Sequence, residues 1–391
     1  MAVLRHRLFW AVALGHTTVD IFNSSGPVLI VFLSLPLGLS NAQVGLAASL
    51  YAFAGSLSQP LFGWLADRYG SRWLAGPSVA WQVGFIVLAT VTARSGGFVW
   101  LLIPYVLAAF GSGALHPAGT MNAGAVEQRQ AATGTALFFL FGQIGLASGP
   151  VLGGFLLDQA GLRGMQFLGL VAVPVVLFML ATSYPVVHVA RRVESTVRRQ
   201  QIAWGAIALL ALLTVCRSWA QIGTVTFLPK LFQEKGWDPT SYGAITGAMW
   251  LASAFSGVLA GRLADRWGRR LVVFLTMLAA VVPLFILPLT DNWVAFPVAL
   301  LVGGLSGAPH SIVVVIAQDL LPGRRAMASG LTLGFIFSMG AVASLGIGWL
   351  ADLWNLTAAL QVGAGMALLA ALLALALPGT RQTVELEMEQ A

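Results

Sequence analysis

Gly63-Trp64-Leu65-Ala66-Asp67-Arg68-Tyr69-Gly70-Ser71-Arg72 and Gly261-Arg262-Leu263-Ala264-Asp265-Arg266-Trp267-Gly268-Arg269-Arg270 are two copies of one pattern, G-x-L-A-D-R-x-G-x-R, set 198 residues apart in a chain of 391. A separation of half the chain implies a duplicated unit. Other pairs keep nearly the same offset: Gly113 and Gly307, His116 and His310, and Gly154 and Gly348 are each 194 apart, and Gly134 and Gly330 are 196 apart. Fainter copies lie inside each half. Gly154-Phe155-Leu156-Leu157-Asp158 and Gly348-Trp349-Leu350-Ala351-Asp352 also end apolar runs in a G-x-L-x-D-like string. Four such helix ends suggest three-helix units nested within two six-helix halves.

The stretches between these marks are apolar. Hydrophobic residues make up 58% of the chain, charged residues 9%, and the mean hydropathy is +0.84. Soluble domains carry about 25% charged residues. Runs of about twenty apolar residues are long enough to cross a bilayer. The runs predict twelve spans, at 8–36, 42–66, 73–93, 99–125, 132–157, 165–187, 202–229, 241–264, 271–289, 294–317, 327–351 and 357–378. The first run continues to about Pro36 without a small-residue cleavage pattern, so it reads as a span and not as a leader. The expected domains are an N-terminal bundle (1–187), a linker (188–201) rich in arginine, a C-terminal bundle (202–378) and a tail (379–391).

Of the 21 Lys and Arg residues, sixteen fall in the N-terminus, the even-numbered gaps and the tail, while the odd gaps hold only Arg94, Arg163, Lys230 and Lys235. Cytoplasmic loops carry this excess, so both termini are expected in the cytoplasm. The net charge of +7 is therefore a topology signal. No basic stripe interleaved with aromatics marks a nucleic-acid partner. The single cysteine, Cys216, lies in an apolar run, excludes an intramolecular disulfide and says nothing of redox compartment.

The loop pattern, doubled at half-chain spacing within twelve spans, resembles the signature loop of the major facilitator superfamily over the whole chain. The resemblance implies an all-α membrane protein of two pseudo-symmetric six-helix bundles that rock about a central site. The loop also has a direct physical reading. Gly63, Gly70, Gly261 and Gly268 allow close approach and tight turns. Asp67 with Arg68 and Arg72, and Asp265 with Arg266 and Arg269, can form charge-assisted contacts that lock one conformation and break in another. The plainer reading is a topology anchor, which needs the arginines but not the fixed Gly and Asp.

Ionisable groups in hydrocarbon are costly and usually mark function. Those predicted within spans are His16 and Asp20 on span 1, His116 on span 4, Arg217 on span 7 and His310 on span 10. In the superfamily these four helices line the central cavity. Asp20 is the one acid predicted well inside, with His16 one helical turn earlier. Together with His116 they are candidates for proton coupling. Arg217 keeps its charge, as the counter-ion of Asp20 or as an anchor for an anionic substrate. His310, Asp20 and His116 are further substrate candidates, though His310 follows Pro309 and can instead bond a freed carbonyl.

Gly145-x-x-x-Gly149-Pro150-x-x-Gly153-Gly154 on span 5 permits tight packing around a proline bend. It resembles the antiporter signature of drug/proton antiporters; span 11 has Leu345 where an equivalent proline would stand. The common antiporters of this kind carry an Arg four residues before a G-x-G on span 4. Here Leu107 precedes Gly111-Ser112-Gly113, so that coupling scheme does not carry over. His16-x-x-x-Asp20 with Pro27, Gln59-Pro60, and Gly113-Ala114-Leu115-His116-Pro117 resemble the fosmidomycin-resistance branch. The Glu and Arg that usually follow there are absent from Ala118-Gly119-Thr120-Met121.

The expectation is a monomeric, multi-pass transporter of the cytoplasmic (inner) membrane, a proton-coupled antiporter exporting small amphipathic or anionic molecules. Its partners would be a small-molecule substrate, protons and lipid. No cofactor, metal or ATP is expected, the proton gradient supplying the drive. Import of a small organic anion is the alternative, and a non-transporting receptor a weaker one. No H-E-x-x-H, paired acids, G-x-S-x-G or P-loop pattern points to an enzyme.

Overall fold

The computed structural model describes residues 2–127, 130–182, 184, 203–321 and 325–377. Among them no strand occurs, and every long element is a helix. A helix satisfies its own backbone N–H and C=O groups, which hydrocarbon cannot do. In chain order the helices are α1 (Arg7–Ser34), α2 (Asn41–Tyr69), α3 (Arg72–Thr92), α4 (Phe98–Ala125), α5 (Ala131–Ala160), α6 (Leu162–Leu180) and α7 (Trp204–Ser218). They continue with α8 (Thr224–Glu234), α9 (Pro239–Trp267), α10 (Arg269–Ile286), α11 (Ala295–Gly307), α12 (Pro309–Leu320), α13 (Arg325–Leu353) and α14 (Leu356–Ala376).

A π turn, Trp219–Gly223, joins α7 to α8 in one rod over Trp204–Glu234, and α11 with α12 forms another over Ala295–Leu320. The described helices thus make twelve rods, and eleven of them are long and apolar enough to cross a membrane. The twelfth, α2, carries Ser49, Ser56 and Ser58, which lower its hydropathy but lie buried within the protein.

These rods follow the expected spans to within a few residues, with two larger differences. The sixth ends at Leu180, before the expected 187. The seventh runs to Glu234, past the expected 229, so Lys230 stands inside α8 and not in a loop. Its ammonium is buried but partnered: it reaches Gln233 Oε1 at 3.1 Å, Ser34 Oγ at 3.3 Å and Glu234 at 3.6 Å. Those partners let the helix carry a lysine where the sequence pattern implied its end.

The chain divides into two compact units, Met1–Arg192 with Leu228–Gly247, and Val193–Phe227 with Ala248–Ala391. The expected linker 188–201 and tail 379–391 lie outside the described residues.

Both signature loops have the same backbone. Gly70 closes α2 at φ +84° and Gly268 closes α9 at φ +86°, each donating its N–H to the carbonyl four residues back, Ala66 or Ala264, at 2.9 Å. A side chain at that φ would be strained, which fixes glycine in the repeat. The duplication extends to packing. A methyl on Gly113 of α4 would stand 2.7 Å from the Gly55 carbonyl of α2, and one on Gly307 of α11 would stand 2.6 Å from Ser253 Cβ of α9.

Candidate functional site: a buried polar cluster in each unit

In the first unit, α1 and α5 pack in close contact because α5 presents glycines to α1. A methyl on Gly145 would lie 2.5 Å from the Thr17 carbonyl and 2.9 Å from Asp20 Cβ, and one on Gly153 would lie 2.8 Å from Ser25 Cβ. Gly149 meets Ile21 and Ser24 in the same way, while Gly154 and Pro150 face Pro239 and Gly243 at the start of α9. The glycine string of span 5 is therefore the surface against which the Asp20 helix is seated.

His16, Asp20 and His116 come together there. His16 Nε2 is 3.1 Å from Asp20 Oδ2, and His116 Nε2 is 3.7 Å from Oδ1. Their donor atoms all lie within 4.8 Å of one another, a spacing that could also gather round a metal ion. The His16 and Asp20 side chains are buried, whereas His116 keeps 23% exposure. His16 stacks on Phe138 at 4.0 Å and meets the His116 ring edge-on.

The tautomers follow from acceptor chemistry. His16 Nδ1 lies 2.8 Å from the Phe138 carbonyl and His116 Nδ1 lies 2.7 Å from the Ser112 carbonyl. A carbonyl only accepts, so both Nδ1 atoms carry hydrogen. A neutral ring then turns a lone pair from Nε2 toward Asp20. The 3.1 Å contact to Asp20 Oδ2 needs a proton between the two atoms, on the imidazole or on the carboxyl.

Neutral residues hold the carboxyl in place. Asn23 donates to Asp20 Oδ1 at 2.8 Å and to Ser112 Oγ at 3.0 Å, and its own oxygen accepts from Tyr51 at 2.7 Å and Gln82 at 2.8 Å. Asn23, Tyr51 and Gln82 were not anticipated, because the sequence reading followed ionisable groups. Nor was Gly142, where a methyl would stand 2.6 Å from His16 Nε2 and 2.8 Å from Asp20 Oδ2.

In the second unit, Arg217 is completely buried at the end of α7. It donates through Nη2 to Gln221 Oε1, and Gln221 donates onward to Ser253 Oγ at 2.7 Å. Its Nε and Nη1 have no partner among the described residues. Asp20's ion-pair partners are His16 and His116, and Arg217 makes no ion pair among the described residues. His310, half-buried on α12, lies within electrostatic reach of Arg217 and tilts against Phe337 at 6.5 Å.

At the signature loops, Arg68 lies over the rings of Trp64 and Tyr69, and Arg72 over Trp73. Arg269 forms an ion pair with Asp319 of α12, a partner not expected from the sequence. No ion pair among the described residues involves Asp67 or Asp265.

Residues 12–223 and 210–389 each match the model of the Major Facilitator Superfamily. The chain belongs to the major facilitator superfamily. As a facilitator it is a multi-pass membrane transporter and not an enzyme. Over 382 residues it is 25% identical to the fosmidomycin resistance protein of Escherichia coli (strain K12), covering 95% of this chain and 92% of the relative. It is 26% identical to the class E tetracycline resistance protein of Escherichia coli, covering 83% and 85%. An uncharacterised facilitator-type transporter of Bacillus subtilis (strain 168), YfnC, is 25% identical over 88% of this chain and 87% of its own. Among solved structures, a bacterial homologue of the human lysosomal transporter Spinster superposes with a TM-score of 0.80 at 16% identity, covering 95% of this facilitator and 96% of that chain. The nucleoside transporter NupG gives 0.72 at 16% identity, covering 95% and 99%. These likenesses extend the facilitator fold over nearly the whole chain.

Proposed function

We propose that this facilitator is a proton-coupled antiporter that exports small amphipathic or anionic molecules by alternating access. Asp20, His16 and His116 carry the coupling proton, and Arg217 and His310, with Asp20 and His116, contact the substrate. The observation that carries the reading is the 3.1 Å contact between His16 and Asp20, two buried groups able to share a proton. Ionisable groups inside a span are costly and by default mark a functional site. The partly exposed His116 gives that proton a route in and out. Export is supported by the glycine string of α5 and by the resistance proteins among the relatives. The signature loops act as conformational latches, both termini face the cytoplasm, and the protein works as a monomer in the cytoplasmic membrane, driven by the proton gradient alone.

The test uses proteoliposomes loaded with a pH-sensitive dye, an imposed pH gradient, and fosmidomycin or tetracycline as probe. The wild type should move protons against the probe. Asp20→Asn is nearly isosteric but cannot cycle a proton, so gradient-driven transport should fall roughly a hundredfold or more, given the typical weight of acid–base groups. Probe exchange without net proton flux should survive. Undiminished gradient-driven transport by Asp20→Asn would sink the reading.

A further inference from the structure

The two clusters occupy repeated positions. His16 and Asp20 stand four apart on α1, and Arg217 and Gln221 stand four apart on the α7–α8 rod, 201 residues later. His116 and His310 are a repeat pair on the fourth and tenth rods. His16–Asp20–His116 in the first unit thus corresponds to Arg217–Gln221–His310 in the second. One residue has been gained between them. Eleven positions separate His16 from Pro27, and twelve separate Arg217 from Pro229. The π turn Trp219–Gly223 lies within that interval. A π turn is how a helix absorbs one extra residue, and such turns gather at functional sites.

The outcome is a cation without an anion. The first unit's pair is balanced, an acid against imidazoles. The second unit has replaced the acid by Gln221, whose amide satisfies only one nitrogen of the guanidinium. The other acids described in this unit, Asp265, Asp291, Asp319 and Asp352, lie at helix ends or in loops and not within a span. A completely buried guanidinium with two unpartnered nitrogens is rare and costly in a native protein, and an anionic ligand that fills them accounts for it.

We propose that Arg217 seats an oxyanion of the transported molecule, a carboxylate, phosphonate or phosphate group, with His310 beside it. The proposal rests on the transport reading and narrows its substrate class from amphipathic or anionic to anionic. The planar fork suits an oxyanion with two or more equivalent oxygens. Gln221, held by Ser253, fixes the fork from its other side and leaves the remaining donors free. Because Arg217 has no exposure in this structure, the anion enters when the surrounding helices part.

Equilibrium binding to the purified full-length protein, without any pH gradient, tests the site apart from proton coupling. The probes are two neutral–anionic pairs, benzamide with benzoate and benzyl alcohol with phenylphosphonate, read by shift in melting temperature and by calorimetry. The anionic member of each pair should bind and stabilise, and its neutral mate should not. Arg217→Lys keeps the charge but loses the fork, so affinity should drop roughly tenfold or more. Arg217→Gln should abolish binding, and if that variant does not fold, Arg217→Lys decides alone. Equal binding of neutral and anionic probes, no binding by either, or unchanged affinity in Arg217→Lys would overturn the proposal. Gradient-driven transport by Asp20→Asn would sink the coupling scheme while leaving this site standing.

Discussion

In the first unit a histidine stands one turn before an aspartate; in the second an arginine stands one turn before a glutamine. Both pairs are buried, both are joined within the pair, and both sit on the opening rod of a duplicated six-helix half. They differ in what they leave unsatisfied. The first pair closes its valence with a proton, which is small and exchangeable. The second leaves two guanidinium nitrogens open, which only a larger acceptor can fill. The two halves thus differ at two corresponding positions and by one added residue, and the difference leaves them with unlike needs.

The largest effect is expected from erasing the difference. Gln221→Glu would give Arg217 a carboxylate one turn away, the same spacing as His16 and Asp20. An internal ion pair would occupy the fork, so binding of an anionic probe should weaken roughly a hundredfold, a cost of about 2.7 kcal/mol. The melting temperature should rise, because a buried uncompensated cation is destabilising. Calorimetry and thermal unfolding on one sample measure both. A variant that binds anions as before, or melts lower, would contradict the view of Arg217 as an unpaired cation.

A smaller effect is expected from the helix behind the first pair. Gly142 has Phe337 as its counterpart 195 residues later, and Phe337 lies against His310. The first unit has glycine there because His16 and Asp20 leave no room for a side chain. Gly142→Ala should therefore cost about 1–3 kcal/mol by overpacking and slow proton-coupled transport. Anion binding in the second unit should stay unchanged. A loss of anion binding by Gly142→Ala would show that the two clusters are not separable.

Much of this plan could be read from residues alone. The loops ending in Gly70 and Gly268 and the twelve apolar runs mark the duplicated bundle because both follow from simple constraints, a positive φ and a bilayer's thickness. His16, Asp20 and His116 were visible because charge is rare in hydrocarbon. Asn23, Tyr51 and Gln82 were not, since neutral polar residues in spans commonly join helices, and these three meet only when α1, α2 and α3 pack. Lys230 was misplaced because a lysine inside a span is rare; Gln233 is one turn along the same helix, but its other neutral partner, Ser34, comes from a distant segment that only packing brings near. The π turn had one trace, the unequal spacing of Arg217–Pro229 and His16–Pro27, which becomes meaningful only after the halves are aligned.

The smallest expected effect concerns the ends of the units, where the same comparison recurs in weaker form. The residue after the signature glycine is Ser71 in one loop and Arg269 in the other, 198 positions apart. Ser71 Oγ accepts from Asn122 Nδ2 near the end of α4 at 2.7 Å, and Arg269 pairs with Asp319 near the end of α12. The first contact is buried and neutral. The second is ionic, with side chains 28% and 34% exposed. A partly exposed ion pair is worth about 0.2–1 kcal/mol and is screened by salt, whereas a buried neutral hydrogen bond is worth about 1 kcal/mol and is not. Asn122→Ala should thus lower the melting temperature by a similar amount at low and high salt. Asp319→Asn should lower it less, and the decrement should vanish at high salt. If the pair is also a latch, Asp319→Asn will change the transport rate by more than its stability loss explains, in a salt-dependent way. Equal rates for Asp319→Asn and wild type at low salt would leave the Arg269 contact as a local fastening of α10 to α12, and would place any latch elsewhere in the loop.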